Sequence, residues 1–271
     1  MSQPNSPSSR LGYLLLAVAA VFLFTSNLRA QDSGVSIQSN HFSWKQKLAA
    51  DQVIEVRSLS GDIRATGYDG AEVEVTAEKS GADAESVHIE VMPGADGVLI
   101  CAVYPEMSND CSSNHQHHGP GRNTHARVDF TVKVPRTIRF AGSTVNGSVD
   151  ATSLTRRAKV SSVNGSVRVH TAEWAEASTV NGSVSARFGR ADWPGRLHLS
   201  TVNGRIELEV AGDLNAEVHT SSVNGSVETD FPITVQGRMR RGNLRGVIGK
   251  GGRELELTTV NGDMQLRKPT L

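Results

Sequence analysis

The chain has 271 residues, with 28 Lys+Arg against 28 Asp+Glu, 9 His, 2 Cys and 5% aromatics. Without a basic excess or any Lys/Arg-rich run it lacks the charge needed to neutralise phosphates, so no nucleic-acid partner is expected. Hydrophobics at 38%, recurring in short alternating runs, exclude a disordered chain.

A polar start ending in Arg10 leads into the uncharged apolar run Leu11 to Thr25 and then Ser26-Asn27-Leu28-Arg29-Ala30. This is the layout of a secretory signal peptide, expected over residues 1–30 with cleavage after Ala30. The run has 15 residues, short of the roughly 20 that a spanning helix uses, so the membrane is met only through this segment if it stays uncleaved. No Cys follows the run, which gives no sign of a lipid anchor. Cleavage would leave a mature chain from Gln31 with 26 basic and 28 acidic residues, exported to the periplasm, cell surface or medium. Residues 31–41 read as a flexible N-terminal segment.

Residues 42–140 are β-rich and irregular. Alternation marks Ile54 and Val56, Ile63 and Ala65, Val73 and Val75, Val87 to Val91, and Val128 to Val134, punctuated by Gly, Asp and Pro. No flexible linker separates this half from residues 141–271. It reads as opening coils and a cap of one body, with Phe42 and Trp44 plugging the end, because a stacked array must shield its first edge. A separate small β-sandwich over 42–135 is the other reading.

Within it lies a polar loop, 101–127. Cys101 and Cys111 stand ten residues apart across a strand and loop, and an oxidising compartment favours a disulfide worth about 2–4 kcal/mol. The same loop carries His115, His117, His118 and His125, residue types that ligate zinc, copper or nickel. Their spacing matches no specific metal site, and no carboxylate is placed behind them to orient a ring. The loop reads as a solvated one tied by the Cys pair; no metal or other cofactor is expected.

One pattern dominates 141–271. It appears as STVNGSV at 143–149, SSVNGSV at 161–167, STVNGSV at 178–184, STVNGRI at 200–206, SSVNGSV at 221–227 and TTVNGDM at 258–264. The turn pairs are Asn146-Gly147, Asn164-Gly165, Asn181-Gly182, Asn203-Gly204, Asn224-Gly225 and Asn261-Gly262. The Asn intervals are 18, 17, 22, 21 and 37, the last wide enough to hold a worn copy at Asn243 to Ile248. Another worn copy is Ser58 to Ile63. Copies of about 20 residues are too short to bury a core alone and must stack.

After each Gly, apolar residues alternate with outward ones: Val149 and Ala151 enclose Asp150, Val167 and Val169 enclose Arg168, Ile206 and Leu208 enclose Glu207. Before the Asn, positions minus six and minus four are often apolar too, as in Leu197 and Leu199 or Leu255 and Leu257. Each copy is therefore strand, turn at Asn-Gly, strand. Asn-Gly is a hairpin signal, which would give an antiparallel β-meander. It also suits the corner of a parallel β-solenoid, where Asn tolerates a left-handed backbone and Gly has no side chain to clash. The near-identity of successive copies favours the solenoid, because stacking places like on like and lets amides and hydroxyls bond along the stack. The expected fold is all-β: a single-stranded, β-helix-like parallel solenoid with an irregular β-rich N-terminal cap.

No catalytic set stands out. The acids Asp150, Glu207, Glu228 and Asp263 sit at outward positions that vary from copy to copy, and no nucleophile elbow or phosphate loop is present. Hydroxyl rows such as Ser143-Thr144, Thr201 and Ser222 suggest a flat face for glycans or ice, but stacked turns produce such rows by themselves.

The segments FSWKQKLAADQVIEVRSLSGDIRATGYDG at 42–70 and VDFTVKVP at 128–135, with the recurring VNG series, resemble the bacterial putative-adhesin family, a domain of unknown function built of β-strand repeats. The resemblance spans about residues 42–268. It implies an exported or envelope-associated solenoid without established catalytic residues. The expectation is a non-enzymatic envelope protein with a structural or adhesive role towards a glycan, protein or other envelope component; a carbohydrate-active or glycan-binding β-helix is the alternative.

Overall fold

In a computed structural model of the chain, described for residues 34–38, 40–104, 111, 125–235 and 242–269, the regular structure is strand apart from one 3-10 turn at Ala84–Ser86. The expected signal peptide, most of the cysteine loop and His115, His117 and His118 lie outside the described residues.

The chain enters with an antiparallel pair, β1 (Gly34–Gln38) and β2 (His41–Gln46). Next come β3 (Val53–Arg57), β4 (Ile63–Tyr68), β5 (Val73–Ser80), β6 (His88–Gly94), β7 (Gly97–Val103) and β8 (Arg127–Pro135). The VNG copies then supply strands in pairs joined at the Asn-Gly corner. These are β9 (Arg139–Asn146) with β10 (Val149–Leu154), β11 (Ala158–Asn164) with β12 (Val167–Thr171), β13 (Ala175–Ser178) with β14 (Val184–Phe188), β15 (Arg196–Ser200) with β16 (Ile206–Val210), and β17 (Ala216–Asn224) with β18 (Val227–Thr229). After β19 (Ile233–Val235) and β20 (Asn243–Ile248), the chain ends on a last corner pair, β21 (Arg253–Asn261) and β22 (Met264–Arg267).

Each coil sends its first strand to one sheet and its second to the other, giving two sheets of 11 strands. One runs β1-β2-β5-β8-β4-β10-β12-β14-β16-β22-β18, the other β19-β20-β17-β21-β15-β13-β11-β9-β3-β7-β6. Neighbouring coils pair parallel and in register: Val149 lies beside Ile63 and Val167, and Val184 beside Val167 and Ile206. The solenoid reading holds and the meander does not, since antiparallel pairs occur at the ends of the stack. The alternation in sequence is the cause. Inward residues of both sheets, among them Ile63, Val149, Val184, Ile206, Leu199 and Leu257, are at most 1% exposed and form one core. Burying each such side chain contributes about 1.5–3 kcal/mol, which a single coil could not collect alone.

Two coils are out of chain order. The β3/β4 coil sits between β7/β8 and β9/β10, and the β21/β22 coil sits between β15/β16 and β17/β18. The front half thus contributes β3, β4, β7 and β8 to the same two sheets as the repeats. Its edge is closed by antiparallel β5, β2 and β1 on one sheet and β6 on the other, with Phe42 and Trp44 buried from β2. At the opposite end β20 and β19 cover one sheet, while the parallel strand β18 is the last of the other. Such antiparallel covers protect the open edges that a parallel stack would otherwise present.

The worn copy at 58–63 is a genuine corner, with Ser60 bridged to Asn146 where the copies have Asn. The worn copy at 243–248 is not. It forms β20, antiparallel to β17, with Asn243 opposite Ser221. Leu244 stands where the copies have Gly, and its side chain goes into the interior at 8% exposure instead of making a corner.

Candidate functional site

Each letter of the repeat has a separate job at the corner. The Asn side chains form one continuous column: Asn164 donates Nδ2 to Asn146 Oδ1, Asn181 to Asn164, Asn203 to Asn181, Asn261 to Asn203 and Asn224 to Asn261, at 2.8–2.9 Å. These asparagines do not take the left-handed backbone considered from sequence. Among the described non-glycine residues, only Asp51 and Ser153 have positive φ.

The glycines are required by close approach. A Cβ on Gly165 would lie 2.0 Å from the Gly147 carbonyl oxygen, and one on Gly204 would lie 1.9 Å from that of Gly182; Gly147, Gly182, Gly225 and Gly262 are equally tight. The contact lets the N–H of Gly147, Gly165, Gly182, Gly204 and Gly262 reach the next coil, as in Gly147 to the Asn164 carbonyl at 3.0 Å and Gly262 to Asn224 at 2.9 Å.

The residue two before each Asn points inward, and its hydroxyl donates to a corner glycine carbonyl of the adjacent coil. The bonds run from Thr144 to Gly61, Ser162 to Gly147, Thr179 to Gly165, Thr201 to Gly182, Thr259 to Gly204 and Ser222 to Gly262, at 2.7–3.2 Å. All six are buried. Thr144, Thr201 and Ser222 therefore satisfy internal carbonyls and offer no face to a glycan or to ice.

The surface at this corner comes from the residues one and three before Asn. Val163, Val180 and Val202 are each 38% exposed and Val223 72%, an apolar column beside the exposed Asn column. Alongside it, on the outer face of the sheet, runs a register of hydroxyls: Ser143, Ser161, Ser178, Ser200, Thr258 and Ser221. Hydroxyl, valine and amide thus recur at the interstrand spacing of about 4.8 Å. Sequence reasoning counted the valines as part of the motif without assigning them a face; the alternation with the buried minus-two hydroxyl could have shown that they point out.

The acids singled out from sequence are scattered. Asp150 pairs with Arg168 at 2.8 Å, Glu228 with Arg267 at 2.8 Å, and Asp263 accepts from the Ser226 N–H and hydroxyl. Asp62, at the first corner, is partly buried, which raises its pKa. The Ser148 N–H and the Arg127 guanidinium outweigh that effect and hold it below the usual carboxylate range.

Cys101 and Cys111 are joined in a disulfide with Cα atoms 6.1 Å apart. Cys101 alternates with the inward Ile100 and Ala102, so it stands on the outer face, yet it is 4% exposed and clusters with Val103 and Cys111. The bridge therefore lies over the sheet. His125 is exposed, with Nδ1 3.5 Å from Asp83; among the described residues no group of His, Cys, Asp and Glu is arranged to hold a metal ion.

The family model described as Toastrack DUF4097 matches residues 136–267. It is this stretch, with the VNG repeats, that is similar to Toastrack domains. The Toastrack match takes in every VNG corner and begins just before β9, so it is narrower than the 42–268 span of the resemblance. Among solved structures, a putative cell adhesion protein from Clostridium sporogenes is 9% identical, with 84% of this chain and 99% of that one covered and a TM-score of 0.48. A putative adhesin from Bacteroides fragilis is 13% identical, covering 86% and 100% with a TM-score of 0.37. One from Parabacteroides distasonis is 11% identical, covering 86% and 98% at 0.31. No curated protein matches the chain.

Proposed function

We propose that the protein is an exported, non-catalytic binding body of the cell envelope, acting in the periplasm or at the cell surface. The observation that carries this reading is the strip of hydroxyl, valine and amide columns, which repeats coil after coil on a continuous two-sheet frame. A surface with such translational repetition suits an extended partner, a glycan chain or the strand of an envelope protein, better than one small molecule. Exposed valines arranged in line mark a contact surface more than valines scattered singly would. The apolar leader and the disulfide support export, since disulfides persist in oxidising compartments.

The test is a binding screen of the exported chain against envelope fractions and a glycan panel, with a V163D/V180D/V202D variant beside it. Those side chains are exposed, so the fold is expected to survive. Capture lost at least tenfold in the variant supports the strip; equal capture by both proteins contradicts it. Recovery of the native chain in the cytoplasm with the leader uncut contradicts export.

A further inference from the structure

At the corners opposite the Asn column, where the second strand of one coil turns into the first strand of the next, a cleft of about 430 Å³ opens. Its walls come from five successive corners, with guanidinium groups from Arg139, Arg156, Arg157 and Arg190 and carboxylates from Asp51, Glu173 and Asp192. Four positive charges against three negative leave one positive charge in excess.

The acids form side-chain ion pairs with only two of the four arginines, Arg156 and Arg190. Glu173, with its side chain 13% exposed, accepts Arg156 at 3.0 Å and Arg190 at 2.8 Å, and takes the Arg157 backbone N–H at 2.8 Å. Asp51 holds Arg156 from the other side, and Asp192 lies 3.5 Å from Arg190. Among the described residues, no carboxylate lies within ion-pair distance of Arg139 or Arg157. Arg139 bonds through Nε to the Asp51 backbone carbonyl, which leaves its terminal amino groups for another partner. Asp51 itself has φ +64°, a left-handed turn conformation that Asp tolerates. The indole of Trp174 lines the same cleft.

We infer that this cleft binds the carboxylate of an acidic sugar unit, a uronate at the end of or within a glycan chain. Arg139 and Arg157 would take the carboxylate, and Trp174 would pack against the sugar ring. Guanidinium groups match a planar carboxylate with paired N–H donors, and the volume lies in the range of small-ligand sites. The single surplus positive charge balances a monoanion, which favours carboxylate over a phosphate dianion. The site is separate from the valine strip, so either can fail without the other.

Titration calorimetry of the full chain with oligogalacturonate, the matching neutral oligosaccharide and inorganic phosphate tests it. Oligogalacturonate is expected to bind, the neutral sugar not to, and Arg157→Gln and Arg139→Gln each to weaken binding about tenfold or more, while Lys250→Gln leaves it unchanged. Arg157 is exposed and outside the ion pairs, so its variant is expected to keep the wild-type melting curve. Absence of oligogalacturonate binding, equal binding of the neutral sugar, unchanged affinity in both arginine variants, or phosphate binding as tight as the uronate would each overturn the proposal.

Discussion

The Asn261 side-chain amide donates to Asn203 at 2.8 Å across 58 residues of chain. Asn224, nearer in sequence, is its neighbour on the other side. The last copy of the repeat therefore completes the column from within.

An interior rung should matter more than a terminal one. Asn181 donates to Asn164 and accepts from Asn203, whereas Asn146 only accepts within the column. Asn181→Ala is expected to cost about 1–2 kcal/mol in urea unfolding and Asn146→Ala about half that, at roughly 1 kcal/mol per bond or less for exposed groups. Equal costs for the two would contradict a continuous ladder.

The corner should tolerate no added carbon. Gly204→Ala places a Cβ against the Gly182 carbonyl, and about 3 kcal/mol or more of destabilisation is expected. Thr201→Val removes the hydroxyl that the same carbonyl accepts, at about 1–3 kcal/mol. Thr201→Ser should restore most of it, as Ser162 and Ser222 already make this bond elsewhere in the column. Thermal melts of the three variants decide.

Repeat, corner, alternation and stacking were legible because identical copies impose identical burial: Val149, Val167 and Val184 could share only one face. The order of coils was not. Copies with the same motif are interchangeable as neighbours, so nothing near Asn261 distinguishes Asn203 from Asn181 as its partner. The arginine cleft was also hidden, because Asp51, Arg139, Arg157 and Trp174 come from corners without a common motif. The exposed valines were legible in principle, since Val163 follows the buried Ser162 on a strand.

Acid should weaken the fold in two stages. Burial, with Arg187 and Arg168 nearby, pushes His170 below its ordinary 6.5. The Arg156 hydrogen bond lowers Asp51 below 3.8, and the Lys268 N–H with Arg267 lowers Asp230. In each case the unfolded chain takes up its proton at higher pH than the folded one. The stability these groups contribute is thus complete above the unfolded values and is lost as pH falls through the folded ones. Urea midpoints are expected to fall modestly below pH 6.5 and more steeply below pH 4, with the first stage reduced in His170→Gln. A midpoint that rises between pH 7 and pH 5 would contradict this assignment.

Removing the last coil should loosen residues it leaves in place. β21 lies between β15 and β17, so a chain ending at residue 252 loses the support on which β17 and β20 rest. Hydrogen exchange of that chain should show lost protection over 216–224 and 243–248 with 139–200 still protected; protection kept over 216–224 and 243–248 would mean the terminal coil is dispensable.

Cysteine cross-linking reads the stacking order itself. Residues side by side in parallel strands lie about 4.8 Å apart, within disulfide reach, while those two strands apart lie beyond about 7 Å. Under mild oxidation, V202C/V260C and V260C/V223C are expected to close a bridge, and V202C/V223C is not. Closure of V202C/V223C in place of the other two would return the copies to chain order and contradict the intercalated solenoid.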